Sequence, residues 1–106
     1  MDTAEYQRRL QLLRKHFRQQ LPERHARIRA AVNPTAAAAT LEAARFETHR
    51  LAGLAGSLGW SELSARAAAL EPELERLFQG TPDADPETLE RLLVALDQAV
   101  QTVIQD

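Results

Sequence analysis

Three histidines, His16, His25 and His49, are the side chains to weigh first. The chain has no cysteine, which excludes disulfides, thiolate metal sites and cysteine nucleophiles. Carboxylate–histidine metal sites in helical bundles place a glutamate three residues before each histidine; those positions here hold Leu13, Pro22 and Phe46. No two histidines have the helical spacing of a zinc pair, and no serine stands in a nucleophile-elbow context. The remaining chemistry is an imidazole acting as a nucleophile, and His49 has the neighbourhood for it. In the stretch Thr48–Gly59, His49 is followed one and two helical turns later by Gly53 and Gly56. An interior glycine costs a helix about 1 kcal/mol relative to alanine, and this chain uses alanine freely elsewhere. Residues three and four apart share a helix face, so His49 stands beside a strip of bare backbone, with Ala52 next to it. Such a strip suits a partner that must approach one ring nitrogen closely. It would equally let two helices of one bundle touch, and a lone helical histidine is commonly a bystander.

The elements that must hold His49 follow from hydrophobic periodicity. Alanine, leucine, arginine, glutamate and glutamine dominate, aromatics make up 5%, and there are 4 glycines and 5 prolines. These are helix formers, and the expected class is all-α. Tyr6, Leu10, Leu13 and Phe17 form a helical stripe over Thr3–Gln20. Leu21-Pro22 reads as a break or kink, with a second helical piece from Pro22 to about Val32 that carries Ile28 and, at its edge, a boundary His25. His16 falls off the stripe. Asn33-Pro34-Thr35 is a turn and helix-start signal. The next helix spans about Ala36 to Leu58, with a core line of Leu41, Ala44, Thr48, Leu51, Ala55 and Leu58. His49 is next to that line and flanks the core. Gly59 stops the helix, and Ser61 is the expected N-cap of the following one, which carries Leu63, Ala67, Leu70, Leu74 and Leu77. Pro72 should bend that helix near Ala68. After turn residues from Gln79 to Ala84, Asp85-Pro86 opens a last helix with Leu89, Leu93, Leu96, Val100 and Val103 inward. Short connections favour antiparallel neighbours. The expected architecture is an antiparallel up-and-down four-helix bundle with a kinked or capped N-terminal helix, forming one domain over residues 1–106.

The segment His49-Arg50-Leu51-Ala52-Gly53-Leu54-Ala55-Gly56-Ser57-Leu58-Gly59 resembles the signature of histidine-containing phosphotransfer domains, commonly written H-x-L-K-G-[SA]-A-G-x-L-G. His49, Leu51, Gly53, Ala55, Gly56, Leu58 and Gly59 match. Ala52 stands where the family usually has lysine, and Leu54 where it usually has a small residue. The resemblance implies a phosphorelay carrier without turnover of its own: His49 would accept a phosphoryl group from a receiver-domain aspartate and pass it on. It implies response-regulator receivers as partners, with a hybrid sensor kinase as a further candidate. It implies no cofactor in this chain, since magnesium would come with the receiver. Glu71 matches by position the residue that hydrogen-bonds the ring. Arg45 and Arg50 are the candidates to replace the missing lysine, Arg45 the better placed. Phe46, one turn before His49, would shield one side of the ring. A leader of Leu21-Pro22-Glu23-Arg24 also resembles phosphotransfer domains that begin multi-domain signalling proteins, so the chain could be a piece of a longer one. The competing reading is a helical interaction module whose histidine is never phosphorylated, favoured by Ala52 and Leu54.

Charge and hydropathy narrow the remaining classes. Net charge is -2, from 13 basic and 15 acidic residues. Residues 1–29 hold eight of the basic residues and three of the acidic ones. That asymmetry reads as a solvated basic helix face, because no interleaved aromatics offer base stacking; nucleic acid is not expected as a partner. No apolar run approaches the roughly 20 residues that span a bilayer, and Met1–Glu5 lacks a signal pattern. The expectation is a cytoplasmic monomer without membrane contact.

Overall fold

The computed structural model describes residues 2–32, 36–80 and 85–106. Four helices hold 90% of it and there is no strand among the described residues. They are α1 (Thr3–Ala31), α2 (Ala38–Ser57), α3 (Ser61–Gln79) and α4 (Pro86–Gln105). Each packs on its neighbours in chain order, and α1 closes the ring against α4. Cross-links fix the directions. Arg14 Nε donates to the Leu58 carbonyl at 2.8 Å, and Arg24 pairs with Glu47 at 2.8 Å, so α1 and α2 run antiparallel. Ser64 donates to the Ala52 carbonyl at 2.7 Å while Glu71 meets His49, reversing α3 against α2. His25 meets Asp97 at 2.5 Å and Arg29 reaches Glu90 at 3.8 Å, reversing α4 against α1. The result is the antiparallel four-helix bundle the periodicity implies.

Its core is aliphatic: Leu21, Ile28, Leu51, Leu63, Leu70, Leu74, Leu93, Leu96 and Val100 are the large fully buried apolar side chains. Burial of each contributes about 1.5–3 kcal/mol. Thr48, also fully buried on the α2 core line, satisfies its hydroxyl by donating to the Ala44 carbonyl at 2.7 Å. Trp60 stacks on Phe17 with centroids 5.3 Å apart, and Arg14 and Arg18 lie over the same indole.

Three sequence expectations are corrected. Of the break or kink expected at Leu21-Pro22, the break is absent, because α1 is one helix with Pro22 inside it. A proline in a helix interior costs about 3 kcal/mol, but Leu21 and Ile28 bury fully on either side of it. The two cross-links at Arg24 and His25 also hold this half of α1 to α2 and α4. Pro22 itself is exposed, so the Arg18 carbonyl it leaves without a helical donor is not forced into the core. Ser61 is not the N-cap of α3: Trp60 occupies that position with no side-chain cap bond, and Ser61 is the first helical residue. Gly59 (φ 91°) ends α2 in the left-handed region, with Trp60 N–H donating to the Ala55 carbonyl at 2.9 Å and Gly59 N–H to that of Gly56 at 3.2 Å. That Schellman turn fixes the chain direction before a serine cap could form. The third correction concerns the stripe on α1: Tyr6 and Leu13 are exposed, because α1 runs past the ends of the other helices. By contrast, Asp85 caps α4 as expected, accepting from Glu87 N–H at 3.1 Å. The hydrogen bond from Thr88 and this backbone bond hold the Asp85 carboxyl below its usual pKa. The turn expected at Asn33-Pro34-Thr35 lies outside the described residues, as does the 81–84 part of the next loop.

Candidate functional site

His49 projects from the middle of α2, one position past the buried Thr48, and its side chain is 75% exposed. Its Nδ1 lies 3.1 Å from Glu71 Oε2 on α3. An ionised carboxylate can only accept, so in a neutral ring this contact puts the proton on Nδ1 and leaves the lone pair on Nε2. Glu71 is well placed for it because Leu70 and Leu74 are buried on either side and fix the azimuth of α3. The pair opens onto a groove of about 580 Å³ between α2 and α3, lined by Glu42, Arg45, Phe46, Ala68, Pro72 and Glu75 as well. α3 remains helical through Pro72. Lacking an N–H, Pro72 leaves the Ala68 carbonyl without its usual helical donor on this groove wall.

The residues singled out in the sequence fall into three groups. Arg45, Phe46 and Glu71 share the groove with His49. Arg45, however, is already engaged: it donates to both Glu42 oxygens at 2.8 Å and to Glu75. Those hydrogen bonds, Glu42's first, hold its guanidinium above its ordinary pKa. Arg50 is turned away from His49 around α2, its guanidinium 5.9 Å from the ring centroid of Phe46 at the groove's edge. There it lines a small polar hollow with Gln20, Glu23, Arg24 and Arg27. The rotation of about 100° between successive helical residues accounts for that separation.

The third group is the small-residue strip, and its members do different things. A Cβ on Gly53 would meet nothing within 4 Å, so this position is open surface. A Cβ on Gly56 would sit 3.1 Å from Ser64 Oγ, so Gly56 serves the close approach of α3. Ala52 is partly buried against the core and gives its carbonyl to Ser64. His16 is exposed, whereas His25 is half-buried in its contact with Asp97. Burial alone would raise the Asp97 carboxyl, but hydrogen bonds from Arg29 and His25 and their charges hold it below its usual range.

One polar residue escaped the sequence reading. Glu47 is buried beside His49's own helical turn and pairs with Arg24 across α1. Its spacing from Ala44 and Leu51 already places it at the edge of the core line, and the basic surplus of α1 was the sign of a partner. Among the described residues no group of three or more His, Cys, Asp or Glu side chains could hold a metal ion. No helix among them is long and apolar enough to cross a membrane.

The bundle thus exposes one imidazole from the middle of α2 over an open groove. The Hpt domain family model matches residues 12–106, and the chain belongs to that family. Its members are phosphocarrier modules of two-component signalling, not enzymes, and interact with response-regulator receiver domains. No curated protein and no solved structure matches the chain.

Proposed function

We propose that His49 is the phosphoryl acceptor of a phosphorelay intermediate. The observation that carries this reading is the exposed His49 ring with its Nδ1 3.1 Å from Glu71 Oε2. In the proposed step the Nε2 lone pair attacks the phosphorus of a receiver's aspartyl phosphate. The P–N bond forms, the P–O bond to the aspartate breaks, and the aspartate leaves as a carboxylate. No proton has to move, because Nδ1 keeps its hydrogen throughout. The imidazole becomes a phosphoimidazolium whose positive charge faces Glu71, and the same atoms in reverse order pass the group to a second receiver. Glu71 is thus a positioning residue that fixes the tautomer and steadies the charged ring. Magnesium is assigned to the receiver.

Gly53, with open space where a side chain would stand, supports close approach of the receiver along α2. Phe46 forms one rim of the docking groove. Arg45 is the proposed counter-charge for the phosphoryl group in the absence of a lysine at Ala52, and to serve it must give up part of its contact with Glu42 and Glu75. Its engagement there is also what favours the second reading, an interaction module that docks without carrying phosphate.

Mixing the chain with a phosphorylated receiver tests the two. The carrier reading expects acid-labile, alkali-stable label on the chain, lost in His49→Gln and kept in His16→Gln and His25→Gln. A stable complex with no label on the chain would leave only the interaction module.

A further inference from the structure

Among the described residues lining the groove of His49, Arg45 is the one cation, set against the carboxylates of Glu42, Glu71 and Glu75. A phosphoryl group on Nε2 would add to that negative charge. Arg45 stands one turn before His49 on α2, and residues four apart share a helix face. Helical side chains lean toward the N-terminus of their helix, which tips the His49 ring over the turn of Arg45. Yet the guanidinium is held away from the ring. It donates to both Glu42 oxygens at 2.8 Å and to Glu75, and it lies over the Phe78 ring, 5.3 Å from the centroid. Glu42 is a further turn from His49 along α2. Glu75 and Phe78 are one and two turns beyond Glu71 on the antiparallel α3, which leads away from His49 in the same direction. Gln79 donates to Glu75 at 2.9 Å and steadies that carboxylate. Arg45 Nε is buried there without a hydrogen-bond partner. This seat leaves one donor unmet and is held by the carboxylates at the others.

We propose that Glu42 and Glu75 form a latch that holds Arg45 off His49, so that the phosphoryl group is weakly stabilised and handed on instead of stored. The proposal rests on His49 being the phosphoryl acceptor. Phosphorylation sets the phosphoryl oxygens in competition with two carboxylates for one guanidinium. Arg45 offers five N–H donors in a rigid fork on a flexible stem, so charge decides which acceptors it serves. While Glu42 and Glu75 are ionised, the phosphoryl group gains only part of that counter-charge. Removing the charge of either carboxylate loosens the latch and frees Arg45 for the ring. Glu42 and Glu75 are thus positioning residues that act through Arg45. Neither is buried, so exchange for glutamine leaves the fold in place.

Phosphoramidate tests the latch on the whole chain with no receiver present. Its phosphoryl group bonds to Nε2 as the bond to its own nitrogen breaks and ammonia leaves. Phosphorus NMR follows the ratio of phosphorylated to free chain at a fixed donor concentration, and its decay once the donor is removed. The His49 signal is assigned by its loss in His49→Gln. Glu42→Gln and Glu75→Gln should each raise the ratio by about threefold, and the double variant by about tenfold, since each charge lies within about a Debye length of the ring. Lifetimes should lengthen in the same order, while the circular dichroism stays that of the wild type. Arg45→Gln should lower the ratio by about threefold. In the Arg45→Gln background the glutamine exchanges should lose most of their effect, because no guanidinium is left to free. Label on His49 that is equal in the wild type and the Glu42 and Glu75 variants would overturn the latch and leave His49 as acceptor. Gains that persist in full without Arg45 would also overturn it, since the carboxylates would then act by direct repulsion alone. Absence of label from His49 in every one of these chains would overturn the acceptor reading and the latch with it.

Discussion

Gly53 and Gly56 lie on one face of one helix, yet the structure assigns them opposite responses to a side chain. At Gly53 an added Cβ meets nothing within 4 Å, so substitution changes only helix propensity. Gly53→Ala should gain up to about 1 kcal/mol and Gly53→Gln somewhat less, raising Tm by up to roughly 4–8 °C in a domain of this size. At Gly56 the Cβ falls 3.1 Å from Ser64 Oγ, which must move. That hydroxyl donates to the Ala52 carbonyl at 2.7 Å, and a lost hydrogen bond of this kind costs about 0.5–1.5 kcal/mol. The propensity gain is then offset, so Gly56→Ala should fall about 0.5–1.5 kcal/mol below Gly53→Ala, the magnitude of that hydrogen bond. Thermal melts and urea unfolding of both variants measure the difference. Phosphotransfer assays on the same samples should show Gly53→Gln impaired despite its higher Tm, since the long side chain fills the receiver's approach. A lowered Tm for Gly53→Gln would refute the open-surface reasoning, and equal melts for the two alanine variants would refute the assignment of Gly56 to packing.

Other residues make separate predictions. Glu47→Ala should destabilise the fold by about 2–3 kcal/mol in urea unfolding, because it strands a largely buried Arg24; an effect under about 0.5 kcal/mol would place that pair among ordinary surface contacts. The Asp97 carboxyl has its folded pKa below the unfolded value, so its contribution is present above about pH 4 and is lost as pH falls through the folded value. Asp97→Asn should cost about 1–2 kcal/mol at neutral pH and flatten the acid limb of the stability profile, and an unchanged limb would contradict that linkage. Glu71→Gln should slow transfer less than Glu71→Ala, because the amide oxygen can still accept from Nδ1; identical losses would argue against tautomer control.

The sequence carried most of the bundle, because its leucines and alanines keep one period and that period has one solution in water. Leu51, Leu63, Leu70, Leu93 and Val100 are all inward as the stripes require. Local signals failed where tertiary packing outweighed them. Pro22 looked like a boundary because nothing in the neighbouring residues reports that Leu21 and Ile28 would be buried fully in a helix held between α2 and α4. Ser61 looked like a cap because the Gly59 turn that displaces it depends on how Trp60 seats on Phe17. The candidate site was legible to the extent that helix geometry alone governs it: His49 flanking the core and Arg50 turned about 100° from it. Pairing between helices was harder to read. Arg45's commitment to Glu42 and Glu75, and the ion pair at Glu47, depend on the rotation of α2 against α3 and α1, which no single stretch of sequence contains.

The nitrogen-15-labelled chain is treated with a small-molecule phosphoryl donor such as phosphoramidate. Phosphorus–nitrogen correlation by NMR then identifies the bonded nitrogen without any receiver being known. The expected result is one phosphorylated imidazole, at His49, with phosphorus coupled to Nε2 and the proton retained on Nδ1 beside Glu71. Phosphate on His16, on His25 or on Nδ1 of His49, or no phosphorylated histidine at all, would contradict it.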